Sequence, residues 1–239
     1  MSSTTVRKSK YKKHKDFVSI ILMHDQNMQK MRCYGPICFL AFGKKTLLDK
    51  QIEAINKRFE NYEIIIAVTE HSEKLYSYVQ NHYHKDKIRI VENPNSEHTS
   101  SCETARLCIH NINNDKILFI EGSLFFEYKI FDNLKFDSSF AMVNSKKEES
   151  LEIGANTNKK EGIEYFCYGA NSTWSEILFL HGTKTLSDLD KVLNNKIFKR
   201  KFFFEAINEI LSEHNITKKR HSTRVVKIKN NKTYKRAKE

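Results

Sequence analysis

The sequence predicts one three-layer α/β domain, in which helices cover both faces of a mixed, mostly parallel sheet. Short β-branched apolar runs alternate with longer segments of helical periodicity, as in proteins built from successive strand and helix units. The length of 239 residues suits a single full-sized domain, and a hydrophobic content of 39% is that of a globular chain. Because no run of about 18 uncharged apolar residues occurs, we expect no membrane-spanning helix.

The first half of the chain supplies the parallel strands. Residues 17–23 (FVSIILM) read as the first buried strand, and Thr46 is placed to cap a helix that continues to Phe59. Apolar runs and amphipathic segments then alternate, which predicts strands at 62–68, 87–91 and 116–121 and helices at 72–83 and 101–113. An Asn-Pro loop is expected at 92–99.

The pattern changes beyond Gly122. Strand-like segments are joined there by turns rich in Asn, Gly and Ser, and they predict antiparallel additions to the sheet at 138–144, 162–168 and 175–180. The end of the chain is predicted to form a helix at 203–214, a last strand at 224–229 and a closing turn at 234–238.

Basic residues are concentrated at the two ends of the chain. Residues 1–15 contain six Lys/Arg and no acid, and residues 215–239 contain ten Lys/Arg and one acid, in a chain whose formal net charge is +12. We therefore expect a basic arm at 1–15, followed by one folded domain at 16–239. Such an arm is able to bind nucleic acid, anionic lipid or an acidic protein surface, and its alternative is a solubilising tail.

The cysteines and the overall composition bear on the compartment. The five cysteines include no C-x-x-C pair, which argues against a disulfide framework and against a four-thiolate zinc site. The histidines show no spacing typical of zinc ligands. We expect a reducing, cytoplasmic setting, and the use of Lys, Asn and Ile suggests an AT-rich genome, which raises the hypothesis of a virus-encoded or virion-associated protein.

Several segments carry a family resemblance. In chain order they are MRCYGPICFLAFGKKTLLDKQIEAI (31–55), NYEIIIAVTE (61–70), ENPNSEHTSSCETARLC (92–108), KILFIEGSLFF (116–126) and the final VVKIKNNKTYKRAKE (225–239). The series resembles the sugar-phosphate and choline-phosphate nucleotidyltransferases over residues 17–239. The resemblance implies a Rossmann-like, glycosyltransferase-A-like fold with ligands at the carboxyl ends of the parallel strands, and a closing strand followed by a short helix.

The chain departs from that family where the family's chemistry is located. A glycine-rich loop holds the nucleotide phosphates in the family, whereas no glycine precedes Gly35 here, and the lysine that follows the loop is also absent. The family binds Mg²⁺ with two aspartates, and Ser123 and Lys229 stand at the matching positions. Because a hydroxyl is a poor Mg²⁺ ligand and an ammonium repels the ion, we expect an inactive relative without a cofactor, retained for binding or assembly.

The resemblance places the ligand pocket at the ends of the first and central strands. Its expected lining is His24, Asp25, Asn27, Lys30, Glu121, Ser123, Trp174 and Lys229. Glu121 is expected on the same side of its strand as Ser123, so it is one candidate for a relocated metal ligand, and Asp25 is another. Carboxylates that converge at the metal position would argue against the inactive prediction.

Three features of the sequence have two interpretations each. Lys229 either pairs directly with a phosphate or is a solvent-facing lysine of the basic tail. Trp174 either lines the acceptor part of the pocket or packs in the core. The aromatic and basic run at 198–204 (FKRKFFF) either contacts nucleic acid or a partner, or starts a helix with its apolar side chains turned inward.

Three functions follow as hypotheses. The first is a degenerate nucleotidyltransferase-fold protein that binds a nucleotide or sugar phosphate or serves as a structural module. The second is an active, Mg²⁺-dependent nucleotidyltransferase that makes an NDP-sugar or a CDP-choline-like product. The third is a basic-tailed protein that docks on nucleic acid or an acidic partner.

Overall fold

A mixed sheet of nine strands forms the middle layer of the described part of the chain. In this computed structural model, the described residues are 13–24, 36–69, 72–83, 87–144, 152–170 and 172–239. The predicted arm at 1–15 lies outside them except for its last three residues. No helix in these ranges is long and apolar enough to cross a membrane.

The elements follow one another in a regular order in the first half and a less regular one in the second. The strands are β1 (Val18–His24), β2 (Ala41–Phe42), β3 (Lys45–Thr46), β4 (Tyr62–Val68), β5 (Ile88–Glu92), β6 (Lys116–Glu121), β7 (Leu124–Phe126), β8 (Phe140–Asn144), β9 (Ile153–Thr157), β10 (Ile163–Tyr168), β11 (Ser172–His181), β12 (Thr217–Arg220) and β13 (Val225–Lys227). The α-helices are α1 (Leu47–Arg58), α2 (Ser72–His82), α3 (Ser101–Ile109), α4 (Thr183–Asn194), α5 (Phe203–Ile210) and α6 (Asn231–Lys238). Short 3₁₀ turns lie at Ile37–Phe39, Tyr128–Phe131 and Lys196–Arg200.

Four parallel strands form the most buried half of the sheet. β1 lies between β4 and β6, and β5 pairs with the outer edge of β4. Ile21 packs on one face with residues of α3 and α5, and Ile20 and Leu22 pack on the other face with residues of α1. Successive side chains of one strand therefore enter two cores, which is the three-layer arrangement that the sequence predicts.

The strands and helices predicted for this half are confirmed to within a few residues. Thr46 caps α1 as expected: its Oγ1 accepts from the Asp49 N at 3.1 Å, and Asp49 Oδ2 accepts from the Thr46 N at 2.7 Å. Helix α3 is shorter than predicted and ends at Ile109. It ends there because Asn111 Nδ2 donates to the Leu107 carbonyl at 2.9 Å, which satisfies an acceptor of the last turn.

The strands beyond Gly122 pair largely antiparallel, as predicted. β11 runs antiparallel to β6, β8 and β9, and β10 runs antiparallel to β9. β12 pairs parallel to β8, and the sequence pattern does not predict it because TKKR contains no apolar residue. Helix α4 is also absent from the predictions, although Leu186, Leu189 and Leu193 give it a buried face. Helix α5 ends four residues before the predicted 214.

The end of the chain returns to the carboxyl ends of the parallel strands. β13 pairs antiparallel with β7, and α6 begins after Asn230, whose Oδ1 accepts from the Thr233 N at 3.0 Å. The closing turn predicted at 234–238 is therefore a helix, as the family resemblance implied. Tyr234 packs in one cluster with Leu40, which holds β13 and the residues after it beside the open edge of the sheet.

Candidate functional site

A cleft of about 540 Å³ opens at the carboxyl ends of the parallel strands. Met23 near the end of β1, Asn93 after β5 and Glu121 at the end of β6 all line it. Open α/β sheets form crevices at this edge, where connecting segments diverge to opposite faces. The volume suits one small-molecule ligand.

Hydroxyl and amide groups form one wall of the cleft. They belong to Asn93, Ser96, Thr99, Ser100, Ser101 and Thr104. The Asn93 side chain is buried and organises this wall, since its Nδ2 donates to Thr99 Oγ1 and to Thr104 Oγ1 at 3.0 Å each. Its Oδ1 accepts from the Asn95 N at 3.1 Å, so the predicted Asn-Pro loop is a hydrogen-bonded turn, and hydroxyl residues of this segment line the cleft.

Aromatic side chains form a second wall that adjoins the first, since the Phe203 N donates to Ser101 Oγ at 2.9 Å. They are Tyr168, Trp174, Phe202, Phe203 and Phe204. Trp174 serves both interpretations made from the sequence, because it lines the cleft and is also packed: its ring centroid lies 4.7 Å from that of Phe166, and its Nε1 donates to the Ile177 carbonyl at 3.3 Å. Flat apolar surfaces of this kind favour ring-shaped ligands.

Glu121 and Ser123 meet as the alternation of strand side chains predicts. Glu121 Oε2 accepts from the Ser123 N at 3.0 Å and also from the Ser123 hydroxyl. Both residues are buried, but only Glu121 is among the residues lining the cleft. Ser123 thus holds a carboxylate in place and is turned away from the cleft.

Lys227 lies beside these groups, and the sequence-based prediction does not include it. Its side chain is 18% exposed, and its Nζ donates to Glu176 Oε1 at 2.5 Å. Burial by itself lowers the pKa of Lys227, but the charges of Glu121, Glu176 and Glu152 outweigh burial, so the pKa is raised well above its ordinary value. The signal for it was the alternation in β13 and beyond, which puts positions 227 and 229 on the same side.

Lys229 and Glu176 complete the charged floor of the cleft. Lys229 lines the cleft with a side chain that is 36% exposed, and its Nζ forms an ion pair with Glu152. Glu176 reaches Lys227 from a non-glycine backbone at φ +53°, within the irregular pairing of β11 with β8 between Trp174 and Leu178. The sequence did not indicate Glu152 or Glu176 as candidates, because long-range strand pairing brings both of them to the cleft.

His24 lies behind the cleft and does not line it. Its ring packs against Gly122, where an added Cβ would come within 2.5 Å of two ring atoms. Burial lowers the pKa of His24 to about 4, so the ring is neutral at neutral pH. The other candidates near this strand, Asp25, Asn27 and Lys30, lie outside the described residues.

Among the described residues, the floor of the cleft sets ammonium groups beside its carboxylates, an arrangement that does not suit Mg²⁺. Of the two residues that the sequence resemblance matches to the family's aspartates, Lys229 lines the cleft and Ser123 does not, and Lys227 adds a second ammonium. Carboxylates do converge here, but Glu121 and Glu176 share Lys227 as their counter-ion. Within the described ranges, no group of three or more His, Cys, Asp or Glu side chains is arranged to hold a metal ion.

Comparisons with solved structures agree with this architecture. CTP:phosphocholine cytidylyltransferase from Streptococcus pneumoniae has a TM-score of 0.75 at 12% identity, over 94% of this chain and 97% of that one. The inositol-1-phosphate CTP transferase from T. maritima has a TM-score of 0.71 at 13% identity, over 92% and 96%. The nucleoside-diphosphate-sugar pyrophosphorylase from Vibrio cholerae has a TM-score of 0.72 at 12% identity, over 92% and 99%.

The sequence itself finds no such relatives: no family model matches the chain, and no curated protein matches it. The structural likeness nevertheless extends over nearly the whole chain. The resemblance inferred from the ordered sequence segments is therefore confirmed at the level of the fold, which is that of the nucleotidyltransferases.

Proposed function

We propose that this protein is a catalytically inactive member of the nucleotidyltransferase fold that binds its ligand in the cleft without a divalent cation. The observation that carries the proposal is Lys227, a largely buried ammonium that shares the floor of the cleft with Glu121 and Glu176. Lys229 pairs with Glu152 on the same floor. Internal cations thus neutralise carboxylates that would otherwise attract a metal ion.

Electrostatics supports this assignment. A divalent cation placed within a few ångströms of two ammonium groups is opposed by repulsion on the order of several kcal/mol, even with substantial screening. Removing Lys227 from its partners is also unfavourable, because it would leave Glu121 and Glu176 unneutralised in a poorly hydrated place. The lysines are therefore the resident counter-ions of this site.

The ligand class follows from the cleft and from its structural neighbours. Those neighbours are described as acting on CTP with phosphocholine or inositol-1-phosphate and on nucleoside-diphosphate sugars. We propose that this chain also binds a nucleotide or a sugar phosphate. The polar wall of the cleft would hydrogen-bond to this ligand, and the aromatic wall would provide a flat surface for a ring. A phosphate would displace Glu152 from the more exposed ammonium of Lys229.

Calorimetric titration tests the proposal. CTP, UTP, GTP and ATP are titrated into the full chain with and without Mg²⁺, and we expect binding of at least one that Mg²⁺ does not strengthen. Lys229→Met should weaken it about tenfold or more, whereas the exposed Lys235→Met on α6 is the matched control and should not. Binding that strictly requires Mg²⁺ would contradict the proposal.

The second candidate is a working enzyme, and the three carboxylates at the cleft favour it. It predicts release of pyrophosphate from a nucleoside triphosphate in the presence of Mg²⁺ and a sugar- or choline-like phosphate. Changing Glu121→Gln should abolish that release, since Glu121 is the carboxylate at the end of the central strand β6. Absence of release at all four nucleotides favours the binding protein.

We also propose a cellular compartment for the protein. The cysteines that the structure describes, Cys38, Cys102, Cys108 and Cys167, form no disulfide, which fits the reducing, cytoplasmic compartment expected from the sequence. Viral origin and docking of the basic arm at 1–15 on an acidic partner stay predictions.

A further inference from the structure

Two exposed aromatic rings, packed around a buried one, lie at the rim of the cleft. Phe202 and Tyr168 are 53% and 55% exposed, and Phe204 lies between them in the fold. The Phe202 and Phe204 rings are nearly parallel, with planes 10° apart and centroids 6.2 Å apart, and the Tyr168 ring meets Phe204 edge-on at 5.8 Å. We call Tyr168, Phe202 and Phe204 the rim cluster.

A basic segment adjoins the rim cluster. Residues 196–201 (KIFKRK) contain four cations and no acid, and Lys196, Lys199 and Arg200 are exposed. Within the described residues, the ion pair of this segment is a long one, from Lys201 Nζ to Glu205 Oε1 at 3.9 Å. The segment presents positive charge directly beside exposed aromatic rings.

The backbone of the basic segment is held rigidly. The Ser100 N donates to the Lys199 carbonyl at 2.8 Å, and the Phe203 N donates to Ser101 Oγ at 2.9 Å. Phe198, Phe203 and Phe204 are buried, so the inward-packing interpretation of the run at 198–204 holds for them. It does not hold for Phe202, whose exposed ring has no such role.

We propose that the rim cluster and the basic segment bind single-stranded nucleic acid. Bases would stack on the exposed faces of Phe202 and Tyr168, and the phosphates would contact the cations at 196–201. A duplex does not offer its base faces for stacking. A membrane surface is disfavoured because Phe202 and Tyr168 line the mouth of a cleft, which a flat bilayer does not enter.

This inference goes beyond the proposed function, because it needs no ligand in the cleft and no step there. The cations that it uses lie on the 3₁₀ turn before α5, whereas Lys227 and Lys229 on the floor of the cleft are already paired with glutamates. Tyr168, Phe202 and Phe204 also line the cleft, so the cations are the groups by which mutation separates the two sites: Lys229 belongs to the cleft, and Lys199 and Arg200 belong to the basic segment.

Fluorescence anisotropy of the full chain with labelled oligonucleotides of about 12 nucleotides tests the proposal. We expect binding of single-stranded RNA or DNA that exceeds binding of a duplex and weakens strongly between about 50 and about 200 mM salt. Phe202→Ala should weaken binding about tenfold. Tyr76→Ala is the matched control, since Tyr76 is 45% exposed and lies outside the rim cluster, and it should not change the affinity.

Three outcomes would overturn the proposal. One is equal affinity for duplex and single strand. Another is binding that disappears on deletion of residues 1–15 and is unaffected by Phe202→Ala, because the arm rather than the rim would then be responsible. The last is Phe202-dependent binding to phosphatidylcholine and phosphatidylserine vesicles without binding to any oligonucleotide. Because Phe202 is exposed, an unchanged melting temperature shows that its variant is folded.

Discussion

Among the residues of the cleft, Lys227 is the one whose replacement should lower the free energy of unfolding most. Lys227→Met keeps most of the side-chain volume but removes the counter-ion of Glu121 and Glu176. Leaving buried carboxylates unneutralised should lower the free energy of unfolding by about 3 kcal/mol. Urea denaturation measures the change.

The control for this variant is Lys235→Met, which removes a lysine from the exposed face of α6. It should change the free energy of unfolding by less than about 0.5 kcal/mol. Equal stability of the Lys227→Met variant and the unmodified protein would show that Lys227 is not the counter-ion of the floor.

His24 should make stability depend on pH. Its pKa is about 4 in the folded protein and 6.5 as the ordinary value, so the unfolded chain binds the proton more readily between these limits. The contribution of the neutral His24 ring to the free energy of unfolding is fully present above pH 6.5. It is lost as the pH falls towards 4, by about 3 kcal/mol in total. Urea titrations at several pH values should show this loss.

His24→Phe should reduce that pH dependence, because Phe does not titrate. Part of the dependence will remain, since burial also lowers the pKa of His14 to about 4. An identical loss of stability on acidification in the variant would assign the effect to other groups.

At the scale of elements, the irregular pairing of β11 positions the floor of the cleft. Glu176 adopts φ +53° there, a conformation that is unfavourable by about 1 kcal/mol or more for a residue with a side chain. Its ion pair with Lys227 offsets that strain. The strained backbone of β11 therefore places the Glu176 carboxylate beside Lys227.

The effect of Glu176→Gly on the free energy of unfolding should change sign when the residue at position 227 is changed. In the unmodified protein it removes a partner of Lys227 and should destabilise the fold by about 1 to 2 kcal/mol. In the Lys227→Met background it removes an unneutralised carboxylate and the strain, and should stabilise the fold. Urea denaturation of the four proteins gives the coupling, and independent effects would contradict the ion-pair account.

The elements also differ in how far sequence predicts them. Three of the parallel strands, β1, β4 and β6, are largely apolar runs because both of their faces are buried, and such runs can be recognised in the sequence. β12 is TKKR and forms only through its pairing with β8, so nothing local predicts it. Helix α4 had a readable signal, since its leucines recur at helical spacing.

The site follows the same division. Glu121 and Ser123 are neighbours through strand alternation, so their contact was predictable. The position of Lys227 could have been predicted by the same alternation, because Lys227 lies two residues before Lys229. The positions of Glu152 and Glu176 could not, because their approach depends on β11 pairing irregularly with β8 and on the return of the chain end.

At the scale of the whole molecule, the fold and the charge distribution point in different directions. The fold is that of proteins described as nucleotide-transferring enzymes, whereas the cleft holds ammonium groups at its floor and further cations at its rim. Because a fold does not determine function, the site has to be tested directly.

Manganese binding, followed by the electron paramagnetic resonance of free Mn²⁺ as a stand-in for Mg²⁺, is the most direct test. We predict no saturable binding by the unmodified protein, and a gain in Lys229→Asp, which removes an ammonium from the floor of the cleft, frees Glu152 and supplies one further carboxylate. Saturable binding by the unmodified protein that is lost in Glu121→Gln would contradict the account.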